Sequence, residues 1–114
     1  MSNAIQTPAN NNEINFRASQ RAAGPKANIC TKEFDGTRID IGRKGATVTE
    51  NGVALSIWTK WLRAESIVDA ARWNIEGMVR AGLIDAWTAD RMVFCFQIAE
   101  REMVKAGALG HVSN

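Results

Sequence analysis

The chain has 114 residues, of which 46% are hydrophobic and 23% are charged, and its formal net charge at pH 7 is +2. This length and apolar content fit one globular domain and exclude a wholly disordered or fibrous protein. The longest apolar run, residues 92–96, is far shorter than the roughly 20 residues that span a bilayer, and no secretory segment is recognisable. We therefore predict a cytoplasmic protein that does not insert into a membrane.

Residues 1–26 are poor in large apolar side chains and include Pro8 and Pro25. Such a segment cannot offset its ordering entropy by burial, so we predict a flexible polar and basic arm. Residues 1–63 carry nine Lys/Arg against five Asp/Glu (+4), whereas 64–114 carry five against seven (−2). The amino-terminal half is therefore the better candidate for an anionic partner, whereas we interpret the arm itself first as a solubilising tail and second as a contact for a polyanion.

Residues 27–55 show the pattern of a small sheet. Asp35-Gly36 tolerates positive φ and predicts a type I′ turn between the strands ANICTKEF and TRIDI. The turn GRKG at 42–45 then leads to a short strand, ATVT. Beyond it two interpretations remain open: Asn51-Gly52 could make a tight turn into a fourth strand, VALSI, or a helix could begin at this point. We favour the turn or strand, ending near residue 55.

Helical periodicity follows. Apolar residues step by four and three through Ile57, Trp61, Ala64, Val68, Ala71, Ile75 and Met78. This seam predicts a first helix over 56–81, which ends at Gly82. A second helix is predicted over 85–106, followed by a tail at 108–114, and the short connection predicts an antiparallel pair. The fold class is thus α+β: a β-meander of three or four strands and then a long helical hairpin, forming one domain over 27–107.

The second helix is apolar around most of its circumference between residues 92 and 99. One neighbouring element cannot cover that surface, and Trp73 on the first helix is surrounded by mostly polar positions. We therefore predict a homodimer with an interface that includes Trp73, Phe94 and Ile98. Burial under an unforeseen loop and contact with a ligand are the alternatives for Trp73.

The sequence offers no catalytic or metal-binding cluster, so we predict no enzyme, no metal and no cofactor. The single histidine, His111, lies in the glycine-flanked tail, where it cannot complete a Ser/His/Asp or Cys/His arrangement. Cys30 and Cys95 are 65 positions apart and match no zinc or redox spacing. The turn GRKG also lacks the spacing of a phosphate-binding Walker loop.

Cations concentrate in and around the predicted sheet, at Lys32, Arg38, Arg43, Lys44 and Lys60. If they share one face, they form an electrostatic track for single-stranded nucleic acid, with salt-dependent affinity. The alternative is that they merely suppress pairing of exposed strand edges. Phe34 and Trp58 are candidates for base stacking, whereas Trp61 belongs to the apolar seam and is assigned to the core.

The order ICTKEFDGTRIDI, GRKGATVT and IWTKWL resembles the single-stranded-DNA-binding transcriptional coactivator (positive cofactor) family over residues 29–62. The resemblance implies a curved four-stranded antiparallel sheet backed by helix, a homodimer, and nucleic acid bound along the strands. Carried over by position, it points to Lys32, Phe34, Arg38, Arg43 and Lys44. The family has a further strand and loop between Ile41 and Gly42 that this chain lacks, and it ends after one helix.

The leading functional prediction is a homodimer that binds single-stranded nucleic acid on a basic sheet. Its rival is a small protein-interaction or inhibitor module of the phage or plasmid accessory type. Such a module would dock onto another protein through the helical hairpin, using Trp73 and the apolar second helix.

Overall fold

The computed structural model describes residues 24–63 and 65–110, and it confirms the predicted α+β fold. Most of the predicted arm, Ala64 of the predicted seam and the end of the predicted tail with His111 lie outside the described residues. The strands are β1 (Cys30–Phe34), β2 (Thr37–Gly42), β3 (Gly45–Glu50) and β4 (Val53–Trp58), hydrogen-bonded in the antiparallel order β1-β2-β3-β4. A 3-10 turn (Thr59–Trp61), α1 (Ile67–Arg80) and α2 (Ala86–Lys105) follow.

Two turns with the same backbone conformation set the register of the sheet. Asp35 and Gly36 have φ of 51° and 78°, and Asn51 and Gly52 have φ of 53° and 80°. Positive φ at both central residues is the signature of a type I′ turn, whose twist matches that of the strands it joins. The predicted β1–β2 hairpin is therefore present, and the open choice after β3 is resolved as a turn into a fourth strand.

The first helix begins later than the periodicity predicts. Residues 56–58 complete β4, where Trp58 pairs with Gly45, and α1 begins only at Ile67. The apolar spacing of Ile57 and Trp61 fits a helix, but the Asn51-Gly52 turn folds the chain back so that every residue from Val53 to Trp58 pairs with a residue of β3. Assignment of Trp61 to the core is wrong, because its side chain is 54% exposed on the 3-10 turn.

The core lies between one face of the sheet and the helical hairpin. The sheet contributes Ile39, Ile41, Ala46, Val48, Leu55 and Ile57, all buried. Helix α2 packs against β2, β3 and α1, and α1 also contacts β4. Met92 and Phe96 of α2 are fully buried, and each large apolar side chain of this kind contributes about 1.5–3 kcal/mol through burial.

Side-chain and backbone caps fix the ends of both helices. Ser66 Oγ accepts from the Asp69 backbone N–H at the start of α1, and Asp85 caps α2 in the same way. After α1, the N–H groups of Gly82 and Leu83 donate back to the carbonyls of residues 79 and 78, with φ of 78° at Gly82. This is the Schellman arrangement predicted at this glycine, and it turns the chain into the antiparallel hairpin.

A buried polar cluster ties α2 to the end of the β2–β3 hairpin. Arg91 of α2 donates from Nε to Glu50 Oε2 at 3.0 Å and from a terminal nitrogen to Thr37 Oγ1 at 2.7 Å. Thr37 Oγ1 in turn donates to Glu50 Oε1. The Glu50 side chain is only 3% exposed, so this cluster balances a buried carboxylate and positions α2 relative to the sheet.

Candidate nucleic-acid interface

The five predicted cations do not share one face of the sheet. Lys32 pairs with Ile39, and Phe34 pairs with Thr37, so both side chains lie on the face that packs against the helices. Lys32 Nζ is 3.7 Å from Glu102 Oε2 of α2. Arg38 lies on the opposite, open face, because neighbouring residues along a strand alternate between faces. The predicted common surface of five cations is therefore wrong, and Phe34 is also separated from the open face.

The Arg38 guanidinium group already forms ion pairs with two carboxylates. Its Nε lies 3.1 and 3.2 Å from the two Asp40 oxygens, and a terminal nitrogen lies 3.1 Å from Glu33 Oε2. Asp40, followed by Glu33, raises the pKa of Arg38 above its ordinary value. Because two acids surround one cation, the open face around Arg38 carries a formal net charge of −1 and does not attract a polyanion.

The remaining predicted residues come together at one end of the sheet. The carbonyl oxygen of Lys44 accepts from the backbone N–H of Thr59 at 2.8 Å and from its hydroxyl at 3.2 Å. These bonds hold Lys44, in the β2–β3 turn, beside Trp58 and Lys60, which flank Thr59. Lys60 Nζ lies 4.9 Å from the centroid of the Trp58 ring, within the range of a cation–π contact.

Trp61 completes an aromatic pair at this end. Its ring centroid is 6.2 Å from that of Trp58, with the two planes inclined at 53°. Trp58 is half-buried, whereas Trp61 is exposed. Tilted rings at this distance stabilise each other, and the outer indole keeps a face available to a ligand.

Two further cations border the same end. The Arg43 guanidinium donates to the Ala106 carbonyl at the end of α2 at 2.9 Å, and its backbone N–H donates to Asn28 Oδ1. Lys26 lies beside the turn, where a Cβ on Gly42 would overlap its carbonyl oxygen. We call this group the basic rim: Lys26, Arg43, Lys44, Trp58, Lys60 and Trp61. Within the described part of the chain, none of its four cations forms an ion pair.

Lys26 and Trp61 are the rim residues that the sequence analysis missed, the first assigned to the arm and the second to the core. A signal for Trp61 was present. A type I′ turn at Asn51-Gly52 pairs residue 50 with 53, and the same count outward places Trp58 opposite Gly45. Trp58 and the residues after it must then lie beside Lys44. Nothing comparable in the sequence places Lys26 at the turn.

Two of the three predicted interface residues, Trp73 and Phe94, lie on the surface of the helical hairpin, whereas Ile98 packs against the core. Trp73 is 74% exposed and Phe94 is 52% exposed, whereas Ile98 is half-buried. A groove of about 360 Å³ runs between α1 and α2, with Ile75 and Val93 among its lining residues. Seven residues before Phe94, Trp87 is also exposed and lies over Arg91.

No group of three or more potential metal-ligating side chains occurs among residues 24–63 and 65–110. No described helix has both the length and the apolar character needed to cross a membrane. The part of the chain that the structure describes thus presents charge and aromatic surface at the basic rim and apolar surface on the hairpin.

Comparisons with known proteins add no relative. No protein-family model, no curated protein and no solved structure matches the chain. The resemblance to the coactivator family therefore stays a prediction, and any functional conclusion depends on the geometry of the basic rim and the hairpin.

Proposed function

We propose that this protein binds single-stranded nucleic acid at the basic rim. One observation carries the proposal: two hydrogen bonds from Thr59 hold the backbone of Lys44, a residue that forms no ion pair within the described chain, beside Trp58 and Lys60. Cations with aromatic rings between them are the combination that binds a phosphate backbone and stacks unpaired bases. The binding surface is thus the end of the sheet and not the part of its open face around Arg38.

Each rim residue has a distinct role in this proposal. Lys26, Lys44 and Lys60 contact phosphates, and each contact releases counterions, so the affinity falls with salt. The exposed ring of Trp61 stacks a base, which contributes about 1–3 kcal/mol. Arg43 adds positive potential while it holds the carbonyl end of α2, where a cation also complements the helix dipole.

A titration of a fluorescently labelled oligonucleotide at several salt concentrations tests the proposal. We expect the Lys44→Glu/Lys60→Glu variant to lose most of the affinity. Neutral Lys44→Gln/Lys60→Gln should retain weak binding, with a logarithmic salt slope reduced by about 1.4 for two lost phosphate contacts. Trp61→Ala should weaken binding by about 5- to 150-fold, the equivalent of about 1–3 kcal/mol.

The matched control is Arg72→Glu/Arg101→Glu, which makes the same charge change at two exposed positions of the helical hairpin. This control should retain near wild-type affinity at moderate salt. Equal loss in both double variants would show that only net charge matters, and absence of wild-type binding at low salt would refute the proposal.

We also propose that the protein forms a homodimer through the outer surface of the hairpin. The exposure of Trp73 and Phe94 supports this, because large exposed apolar side chains mark interaction surfaces. Light scattering should give twice the chain mass for the wild type, and Trp73→Glu or Phe94→Glu should shift it toward the monomer. A wild-type monomer at high concentration would refute this proposal.

A second candidate function is a protein-interaction module that docks onto another protein through the same surface. The observation that favours it is the 74% exposure of Trp73, which the described part of the chain does not cover. A monomer that binds no oligonucleotide at low salt is the result that this alternative predicts and the leading proposal does not.

A further inference from the structure

The basic rim offers few positions for bases. Only two indoles belong to it, and one face of Trp58 already carries the Lys60 ammonium group. Sequence-independent binding of single strands depends on one aromatic platform for each stacked base. The rim can therefore stack at most two successive bases.

The open face of the sheet does not extend this path. Gly24 covers Thr47 and Ser56, the paired residues of the open face that come next to Trp58. A Cβ placed on Gly24 would be 2.7 Å from Thr47 Oγ1 and 2.9 Å from Ser56 Oγ. The ring of Pro25 lies over Gly45 in the same manner, 2.8 Å from a Cβ placed there. A nucleic-acid strand that left the rim toward the middle of the sheet would meet this backbone within about 7 Å, the rise of two strand residues.

Beyond Gly24 and Pro25, the negative charge of the open face opposes binding of a nucleic-acid strand. A cavity of about 510 Å³ continues over the open face, bordered by Arg38 and Asp40. Its one cation is held by Asp40 and Glu33, which leaves an excess of negative charge. A phosphate placed there would lose its hydration without gaining an unpaired cation.

The opposite direction is bounded by the end of α2. The Arg43 guanidinium already bonds the Ala106 carbonyl, and the free carbonyls at a helix carboxyl end repel phosphate. Glu102 lies one turn earlier, in ion pairs with Lys32 and Lys105. As far as the structure describes them, neither the open face nor the carboxyl end of α2 therefore extends the positive surface of the rim.

We infer that the rim takes only two or three unpaired nucleotides, as in a strand end or a short gap, and not a long single strand. The inference rests on the proposed nucleic-acid binding and specifies its substrate. Duplex without unpaired bases is excluded from tight binding, because its internal bases are already stacked on one another and only a terminal pair could lie on Trp61. A long strand binds no better per site than a trinucleotide, since the described residues of the open face and of the carboxyl end of α2 offer it no uncommitted cation.

A length series of oligothymidylates, from two to twelve nucleotides, tests the inference at low salt. After correction for the number of overlapping sites, the dissociation constant should stop falling at three nucleotides. The twelve-nucleotide strand should accept more than one chain at saturation. A blunt duplex should bind weakly, and the same duplex with a three-nucleotide overhang should bind like the trinucleotide.

A negative charge introduced on the open face provides the control. Thr49 lies in the cavity but outside the rim, so Thr49→Glu should leave affinity for the twelve-nucleotide strand unchanged, whereas Lys44→Glu should weaken it strongly. Affinity that rises beyond six nucleotides, with one chain per strand and sensitivity to Thr49→Glu, would overturn the short site but keep nucleic-acid binding. No binding at any length would overturn both.

Discussion

Replacement of Arg91 by methionine should destabilise the protein although the residue lies partly on the helix surface. The substitution keeps a long, flexible side chain but removes both donors to Glu50 and Thr37. The Glu50 carboxylate, 3% exposed, then keeps one hydrogen bond, from Thr37, and no opposite charge. Methionine can still pack on the Trp87 ring, so the main loss is electrostatic.

The structure sets the size of this effect. Removal of one partner from a buried ion pair costs about 3–5 kcal/mol. The Arg91 side chain is 25% exposed, so water partly replaces it and the lower end, about 3 kcal/mol, is expected. Glu50→Gln should cost less, about 1–2 kcal/mol, because Arg91 keeps access to solvent. The double variant Arg91→Met/Glu50→Gln buries no charge, so its loss of unfolding free energy should be smaller than the sum of the two single losses.

Urea unfolding measures all three variants. With a slope of about 1.5 kcal/mol per molar, a loss of 3 kcal/mol moves the midpoint down by about 2 M. Trp87→Leu is the control for packing against Arg91 and should cost under about 1 kcal/mol. If Arg91→Met costs less than 1 kcal/mol, or the double variant shows strict additivity, then the cluster does not stabilise a buried carboxylate as argued.

Three further predictions concern the turn, the buried thiol and the cap of α2. Gly42→Ala should destabilise the fold by about 1–3 kcal/mol or more, since the new methyl group overlaps the Lys26 carbonyl, and thermal unfolding will show this. Burial, followed by the nearby Glu50, raises the pKa of Cys95 from 9.0 to about 11, so the stability from the neutral thiol is complete below about pH 9 and is lost as pH rises to about 11. Unfolding of Cys95→Ala should lack that alkaline decline; the same decline in the variant would exclude the thiol as its source. The Thr88 N–H lowers the pKa of Asp85 below 3.8, so stability from this cap is present above about pH 4 and is lost as pH falls through the lowered pKa. The wild type and Asp85→Ala should therefore converge in acid, and a constant difference down to pH 2 would contradict this reasoning.

Local chemistry explains why much of the fold is readable from the sequence. Asp35-Gly36 encodes a tight turn through the two residues that tolerate positive φ, and Gly82 encodes a helix stop in the same way. Both features depend only on neighbouring residues, so no tertiary information is needed. The β-meander and the antiparallel helical hairpin follow from these signals and from apolar periodicity.

The sequence was less informative where two local patterns competed. Ile57 and Trp61 fit the helical spacing, yet Ile57 belongs to β4, because hydrogen bonding to β3 continues up to Trp58. Strand pairing is a long-range choice, and apolar spacing over a few residues cannot decide it. The same misplacement assigned Trp61 to the core and concealed its proximity to Lys44.

The sequence alone thus determined the local features of single elements: the turn type, the helix ends, and the excess of cations in the amino-terminal half. Only the tertiary structure decided which cations act together. Lys32 and Arg38 lie on opposite faces because the two-residue turn pairs Lys32 with Ile39, and acids then neutralise each of them. Lys44 and Lys60, sixteen positions apart, become neighbours through a β-hairpin, and that proximity depends on hydrogen-bond register and not on composition.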